Sequence, residues 1–315
     1  MISYIVRRLI QSLVVMIGVT IIVFIILHLL PGGPAKAILG PKASAIQIHN
    51  FVVENGYDLP VWRQYIAFVG RLLHGDLGYS FEDNQTVDSL IGQALPKSAL
   101  LVGFAYVLSL VIAVPLGILQ AVRRNKPIDY VVTVVAFVGY AMPEFWLGIL
   151  LISFLAVAIP LFPSSASQGD TVGQVLSQPI GLVLPVATMT IVTVALFSRF
   201  MRSSAVDTLV QEYIRTARAK GVSEFAILRR HVLRNSLIPV ITLIGLSLPS
   251  ALAGDVIVES VFNYPGMGLL FWKAATTQSY NVLLGVTIVV GVATVLGNLI
   301  ADVVYTTVDP RVRYS

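Results

Sequence analysis

The chain has 315 residues, 56% of them apolar and only 12% charged. A soluble domain carries about 25% charged residues, so this composition excludes a typical soluble enzyme, a disordered chain and a collagen-like repeat, and it points to a polytopic membrane protein. The net charge is +5 and there is no cysteine. Disulfides, thiolate metal sites and a cysteine nucleophile are therefore excluded, and the basic excess reads as Lys and Arg in cytoplasmic loops, not as nucleic-acid binding.

A spanning helix needs ~20 largely apolar residues, and six stretches qualify. The first, Leu9 to Leu30, follows Arg7 and Arg8. It exceeds the ~7–15-residue core of a secretory signal, so it reads as a retained span despite Ala35-Lys36-Ala37 beyond it. Residues 31–97 form a large outer loop. One helix is expected over Ala43 to Asn55, stopped by Gly56, and a second from Pro60 with Asp58 as its cap. Trp62, Ile66, Val69 and Leu73 share a face of that second helix. This is the pattern of an amphipathic helix on the membrane surface or against the bundle, rather than of a ligand-contacting segment. Gly75-Asp76-Leu77-Gly78-Tyr79-Ser80 then reads as a turn-rich connector.

The second span is expected over Ala99 to Val122. The third, Tyr130 to Ile159, is long enough to tilt, or to bend at Pro143. The loop from Pro160 to Pro179 has no Lys or Arg. The fourth span is Ile180 to Phe200, the fifth Leu237 to Val258, containing Pro239 and Pro249, and the sixth Val282 to Tyr305. Most basic residues fall on one side of these spans, at Arg7, Arg8, Arg123, Arg124 and Lys126, through the segment 199–234, and at Arg311 and Arg313. The positive-inside rule places that side, with both termini, in the cytoplasm.

The cytoplasmic loop, residues 203–236, reads as a helix, a turn and a helix. Glu212 to Lys220 precedes Gly221, and Ser223 and Glu224 open the second helix as a cap and a first-turn acid. Its basic residues fit the positive-inside signal. A bent helical pair held between two spans also suits docking into a partner's groove.

Charges at membrane depth are functional candidates by default. Glu144, beside Pro143, reads either as a cavity or gate carboxylate or as a helix-end charge moved to the interface by the proline. Asp302, with Asn298 one turn earlier, reads as a snorkelling or Arg-paired group or as part of a path. Asp255 and Glu259, one turn apart, suit a substrate amine, a closed lid or a contact with Lys273. No phosphate-binding G-x-x-x-x-G-K-[ST], H-E-x-x-H or G-x-S-x-G motif occurs. His28, His49, His74 and His231 are isolated, without metal-ligand spacing.

Six segments in order carry a resemblance. They are the Arg7-Arg8 span ending in Leu30-Pro31-Gly32, then Gly75-Asp76-Leu77-Gly78, then Pro143-Glu144-Phe145-Trp146-Leu147-Gly148. Glu212-Tyr213-Ile214-Arg215-Thr216-Ala217-Arg218-Ala219-Lys220-Gly221, Val258-Glu259-Ser260-Val261-Phe262-Asn263-Tyr264-Pro265-Gly266 and Asp309-Pro310-Arg311 complete the set. The chain resembles the dipeptide/oligopeptide/nickel permeases of bacterial ABC importers, in particular the first of their two paired permeases.

The resemblance implies an all-α, six-helix membrane bundle of the type I ABC importer permease fold, a single domain over residues 1–315 in the bacterial plasma (inner) membrane. It implies a second homologous permease, one or two ABC ATPase subunits and an extracytoplasmic peptide-binding protein as partners, besides membrane lipid and without nucleic acid. ATP and Mg would be bound by the ATPases, with no cofactor and no catalytic or metal site on this chain. The 203–236 loop would be the EAA-type coupling loop, carried by Arg215, Thr216, Ala217, Arg218, Lys220, Gly221, Val222, Ser223 and Phe225. Arg215-Thr216-Ala217 stands where the general pattern has Glu-Ala-Ala, and Leu233-Arg234 where it has Leu-Pro. Glu144, Asp255, Glu259, Asn298 and Asp302 would be translocation-path or gate candidates. The alternative is a stand-alone ion-coupled secondary transporter using Glu144, for which no internal repeat is found. A membrane enzyme lacks any nucleophile, base or metal cluster.

Overall fold

The computed structural model describes residues 2–29, 33–40 and 43–308. Helix α1 (Ile2–Leu29) is a long apolar rod. Leu13, Val14, Ile22 and Ile25 point outward from it, while Val23, Phe24 and Leu27 are buried. An apolar surface left bare on a helix of this length belongs in lipid.

The outer loop folds as α2 (Gly33–Leu39), α3 (Ala45–Glu54) and α4 (Val61–Leu73). Helix α3 starts later than expected, because Ser44 and Gln47 form a reciprocal capping box. Helix α4 follows Pro60 with no side-chain cap, so the capping role expected of Asp58 is not realised. The connector after α4 closes into a small antiparallel hairpin of β1 (Tyr79–Ser80) and β2 (Gln85–Thr86).

Helix α5 (Val87–Val122) is 36 residues long and begins a dozen residues before the expected span. Pro96 and Pro115 lie inside it without ending it, as membrane helices tolerate when neighbours satisfy the freed carbonyls. The charge of Lys97 does not break it either. Lys97 is buried and its Nζ donates to the Gly169 carbonyl at 2.9 Å.

The third expected span is two helices. α6 (Pro127–Ala141) and α7 (Glu144–Leu151), which continues in π-type turns to Ala158, meet at 102° across Met142-Pro143. Pro143 lacks an N–H, and it drives Met142 to extended dihedrals (φ −76°, ψ 128°). A short α8 (Val172–Leu176) precedes α9 (Val183–Leu209), which runs well past the expected end at Phe200. α10 (Glu212–Ala219) and α11 (Glu224–Ile227) follow, and the chain re-enters the bundle as α12 (Leu233–Ala253). α12 stops at Gly254 (φ +76°), five residues short of the expected span end. α13 (Val256–Val261), α14 (Met267–Thr277) and α15 (Tyr280–Val308) complete the described chain.

Among the described residues, four helices are long and apolar enough to cross a membrane, and the bent α6–α7 pair makes a fifth crossing if it is one span. The remaining expected span falls on α12, 21 residues whose single charge, Arg234, lies in the first turn. The largest helix interface is α5 along α9, with α12 along α15 next and α1 against α15. Gly117 allows the closest approach of the first pair, since a Cβ there would sit 2.6 Å from the Met201 Cβ. Leu101, Val102, Met189, Val258, Phe262 and Tyr264 form the main core cluster.

Candidate functional site

Two regions at opposite ends of the bundle hold the functional candidates. The first is the α10–α11 pair, which projects beyond the ends of α5 and α9. Ile214, Ala217 and Ile227 are buried with Ala121, Ala205 and Val232, and Val222 packs at the edge. This seam seats the pair on the bundle. Between its helices, Gly221 adopts φ +77°, a region glycine enters without steric cost. Ser223 accepts the Ala226 N–H and so caps α11. Arg218 donates to both Glu224 oxygens, at 2.7 and 3.2 Å, clamping α10 to α11 across the turn. The Arg218 guanidinium holds the Glu224 carboxyl below its ordinary range. A second exposed pair joins Arg215 to Glu212 at 2.8 Å.

Arg215, Thr216, Arg218, Lys220, Gly221, Ser223 and Phe225 are exposed on the outer surface of the pair. Ala217 faces the bundle and Val222 is half-buried; both support the surface from behind rather than forming it. Phe225 is 72% exposed, an aromatic ring with nothing over it. Sequence reasoning missed Tyr213. It is exposed, its hydroxyl accepts from Asn235 Nδ2 at 3.1 Å, and it ties α10 to the start of α12. It also missed the pair that braces this end. Arg202 on α9 donates to both Asp129 oxygens at 2.7 Å, and Asp129 is buried at the start of α6. Both residues sit at span ends, where Arg202 reads simply as positive-inside charge.

The second region lies where α7 and α13 begin. Glu144 and Asp255 meet in one cavity of about 300 Å³, with Val102, Tyr106, Met189 and Ile257 among its walls. Asp255 also caps α13, accepting from the Ile257 and Val258 N–H groups at 3.0 and 2.9 Å. Glu259 does not join them. It is fully buried, one turn behind Asp255. It accepts from Ser98 Oγ at 2.6 Å and from the Gly268 and Leu269 N–H groups at 2.7 and 3.1 Å. The carboxylate thus fills the N-terminus of α14, where unpaired N–H groups and the helix dipole favour an anion. In this structure Glu259 is enclosed by these partners, outside the Glu144–Asp255 cavity, and the expected contact with Lys273 is not made, because Lys273 is exposed.

Gly254 and Gly266 form the wall, since a Cβ on either would sit within 2.8 Å of a Glu259 oxygen. Tyr264 completes the knot with a 2.7 Å bond from its hydroxyl to the Lys97 carbonyl. Asn298 is half-buried on α15 and does not line the Glu144–Asp255 cavity. The side chain of Asp302 and the Asp309-Pro310-Arg311 segment lie outside the described residues. Among the described residues, no group of three or more His, Asp or Glu is placed to hold a metal ion.

Residues 113–314 match the family described as "Binding-protein-dependent transport system inner membrane component", and residues 1–102 match the N-terminal part of such membrane components. The chain is 39% identical to the oligopeptide transport system permease protein AppB of Bacillus subtilis, with all of both chains covered. It is 31% identical, again over both full lengths, to the dipeptide transport system permease protein DppB of Escherichia coli. A solved structure of the MetNI methionine ABC transporter, in inward-facing conformations, superposes with a TM-score of 0.55 at 17% identity, covering 70% of this chain and 96% of that one. That likeness concerns the fold.

Proposed function

The chain belongs to the binding-protein-dependent transport system inner membrane component family, and from that premise we propose that it forms, with a second permease, the path by which di- and oligopeptides enter a bacterial cell. Its relatives named as peptide permeases support this reading over the stand-alone carrier. ATP and Mg belong to separate ATPase subunits, and an extracytoplasmic binding protein delivers the peptide. Both termini and the α10–α11 pair face the cytoplasm.

The observation that carries the reading is the construction of α10–α11. Its inner face is packed, its two helices are clamped by Arg218 and Glu224, and its outer face offers Phe225 and a rim of Arg215, Lys220 and Ser223. Exposed aromatics ringed by polar groups are how protein interfaces are anchored. A cleft closing on this surface moves a rigid body, and the seam on Ala121 and Ala205 passes the displacement to α5 and α9. At the other end, Glu144 and Asp255 lie where α5, α7, α9 and α13 converge, so relative movement of those helices opens or shuts the cavity to a peptide's ammonium group.

The test is gentle purification from the native membrane. Co-purification of a second permease and at least one ATPase, with ATP hydrolysis raised by peptide and its binding protein, is expected. Recovery of the chain alone, in a state that still transports, would overturn the reading.

A further inference from the structure

A further cavity lies away from both regions above. It encloses about 320 Å³ between the outer loop and the ends of α1 and α15. Its apolar wall is Leu27 from α1, Phe68 from α4, and Leu284 and Ile288 from α15. Its polar wall includes Tyr57, Arg71 and Asp76. Arg71 leans on the Tyr57 hydroxyl and forms no ion pair among the described residues. Burial pushes the Tyr57 phenol up and the guanidinium draws it part of the way back; Asp76, whose Oδ1 accepts the Gly78 N–H at 2.9 Å, is the acid on the same wall and makes no ion pair with Arg71.

The depth of α4 identifies what surrounds this cavity. The Tyr65 hydroxyl bonds Thr20 Oγ1 at 2.9 Å, and Gln64 Oε1 bonds His28 Nε2 at 2.8 Å. Phe24 packs its ring against Tyr65 and Phe68. Thr20 lies nine residues back from Leu29 within a membrane span, about 14 Å along the helix at 1.5 Å per residue. Helix α4 is therefore drawn down beside a lipid-facing helix, not held above it. Its outward residues Val61, Trp62, Ile66 and Leu73 are all at least 60% exposed. The Arg63 guanidinium lies 5.1 Å from the Trp62 ring, as interfacial side chains do when an aromatic body sits in lipid beneath a charged head.

We infer that this cavity is a phospholipid site, in which the Arg71 guanidinium takes the headgroup phosphate and the α1–α15 floor takes the upper part of an acyl chain. The match is one of amphiphile to amphiphile: one guanidinium and one carboxylate on the polar wall, hydrocarbon on the other, and a bilayer alongside. Asp76 on the polar wall suits a headgroup that also carries an ammonium, so phosphatidylethanolamine is the natural probe. At this volume the cavity holds the headgroup end of a lipid, with the remaining chain in the leaflet. The inference goes beyond the transport reading and does not depend on it.

Native mass spectrometry of the intact detergent-purified transporter tests it, after delipidation and back-titration with phosphatidylethanolamine. The wild-type chain is expected to retain lipid that Arg71→Gln binds about tenfold more weakly, the size of one charge-assisted hydrogen bond. Arg71→Lys should recover part of the loss. Diacylglycerol with the same chains, which lacks the phosphate, should bind the wild type as weakly as phosphatidylethanolamine binds Arg71→Gln. Leu284→Trp, which fills the floor and leaves Arg71 in place, should lose the lipid too, while the intact mass shows the complex assembled. Equal lipid retention by wild type and Arg71→Gln would overturn the inference. So would displacement of the lipid by inorganic phosphate or by a dipeptide, which would make the cavity an anion or peptide subsite.

Discussion

Gly221 turns α10 into α11 at φ +77°, and a Cβ there would meet no atom within 4 Å. The demand on this position is therefore conformational, not steric. A side chain costs roughly 1–2 kcal/mol in the left-handed region, and a β-branched one more. Gly221→Val is expected to leave insertion intact and abolish peptide-stimulated ATP hydrolysis, with Gly221→Ala intermediate; wild-type coupling in the valine variant would refute this role. Glu259 makes the contrasting demand. Its carboxylate satisfies Ser98 and two N–H groups of α14 inside the protein. Glu259→Ala strands these donors at a cost of about 1–3 kcal/mol each, so the thermal midpoint in detergent should fall sharply. Glu259→Gln, which keeps one acceptor oxygen, should fall less. A charged residue near a span end was legible in the sequence as important, but not its role. Apart from the nearby Asp255 N–H at 3.3 Å, the partners of Glu259 lie on α5 and α14, more than 160 residues and nine or ten residues away respectively, and only the fold brings these together.

Most elements were legible as elements, with errors that have physical causes. The break at Pro143 follows from a missing N–H and a crowded preceding residue. The size of the bend does not, because α7 turns by 102° to pack against α9 and α13. The long α5 was truncated in the sequence reading because Pro96 and Lys97 look like a span boundary. The helix runs on through Pro96, and Lys97 is accommodated by a tertiary bond to the Gly169 carbonyl that no local pattern reveals. The same holds for the brace between α6 and α9. Asp129 is 2% exposed and accepts two bonds from Arg202, whose side chain remains 31% exposed. Removing one partner of a fully buried pair costs about 3–5 kcal/mol, and the partial exposure of Arg202 puts this pair at or below the low end of that range. Arg202→Gln is expected to lower stability by about 2–3 kcal/mol and to reduce ATPase coupling, because it loosens α9 just before the α10–α11 seam. A variant with unchanged melting and coupling would show that the brace is dispensable.

Across the whole molecule, α5 and α9 both reach both functional regions, α9 through Met189 in the cavity and Ala205 in the seam. On α5, Ser98 binds Glu259 at one end and Ala121 meets the α10–α11 seam at the other, about 35 Å apart at 1.5 Å per residue. The two helices pack along each other and form a stiff strut between the exposed α10–α11 surface and the Glu144–Asp255 cavity. The form of the α10–α11 pair was the more legible of the two regions, since a helix, a glycine and a capped second helix are local signals. The Glu144–Asp255 cavity was less so: Glu144, Asp255 and Glu259 looked alike in sequence, and burial alone separates the third from the first two. On the proposed function, a nucleotide-hydrolysing subunit seats on Phe225. Because the chain has no cysteine, Phe225→Cys places a single thiol at the proposed contact. Thiol-directed photo-cross-linking of that variant in native membranes, with and without ATP, reads the contact directly. A cross-link to an ATPase subunit, with a yield that changes on ATP binding, is the expected result. A labelled, transport-competent chain that never cross-links to an ATPase in either state would rule out Phe225 as the seat of that subunit.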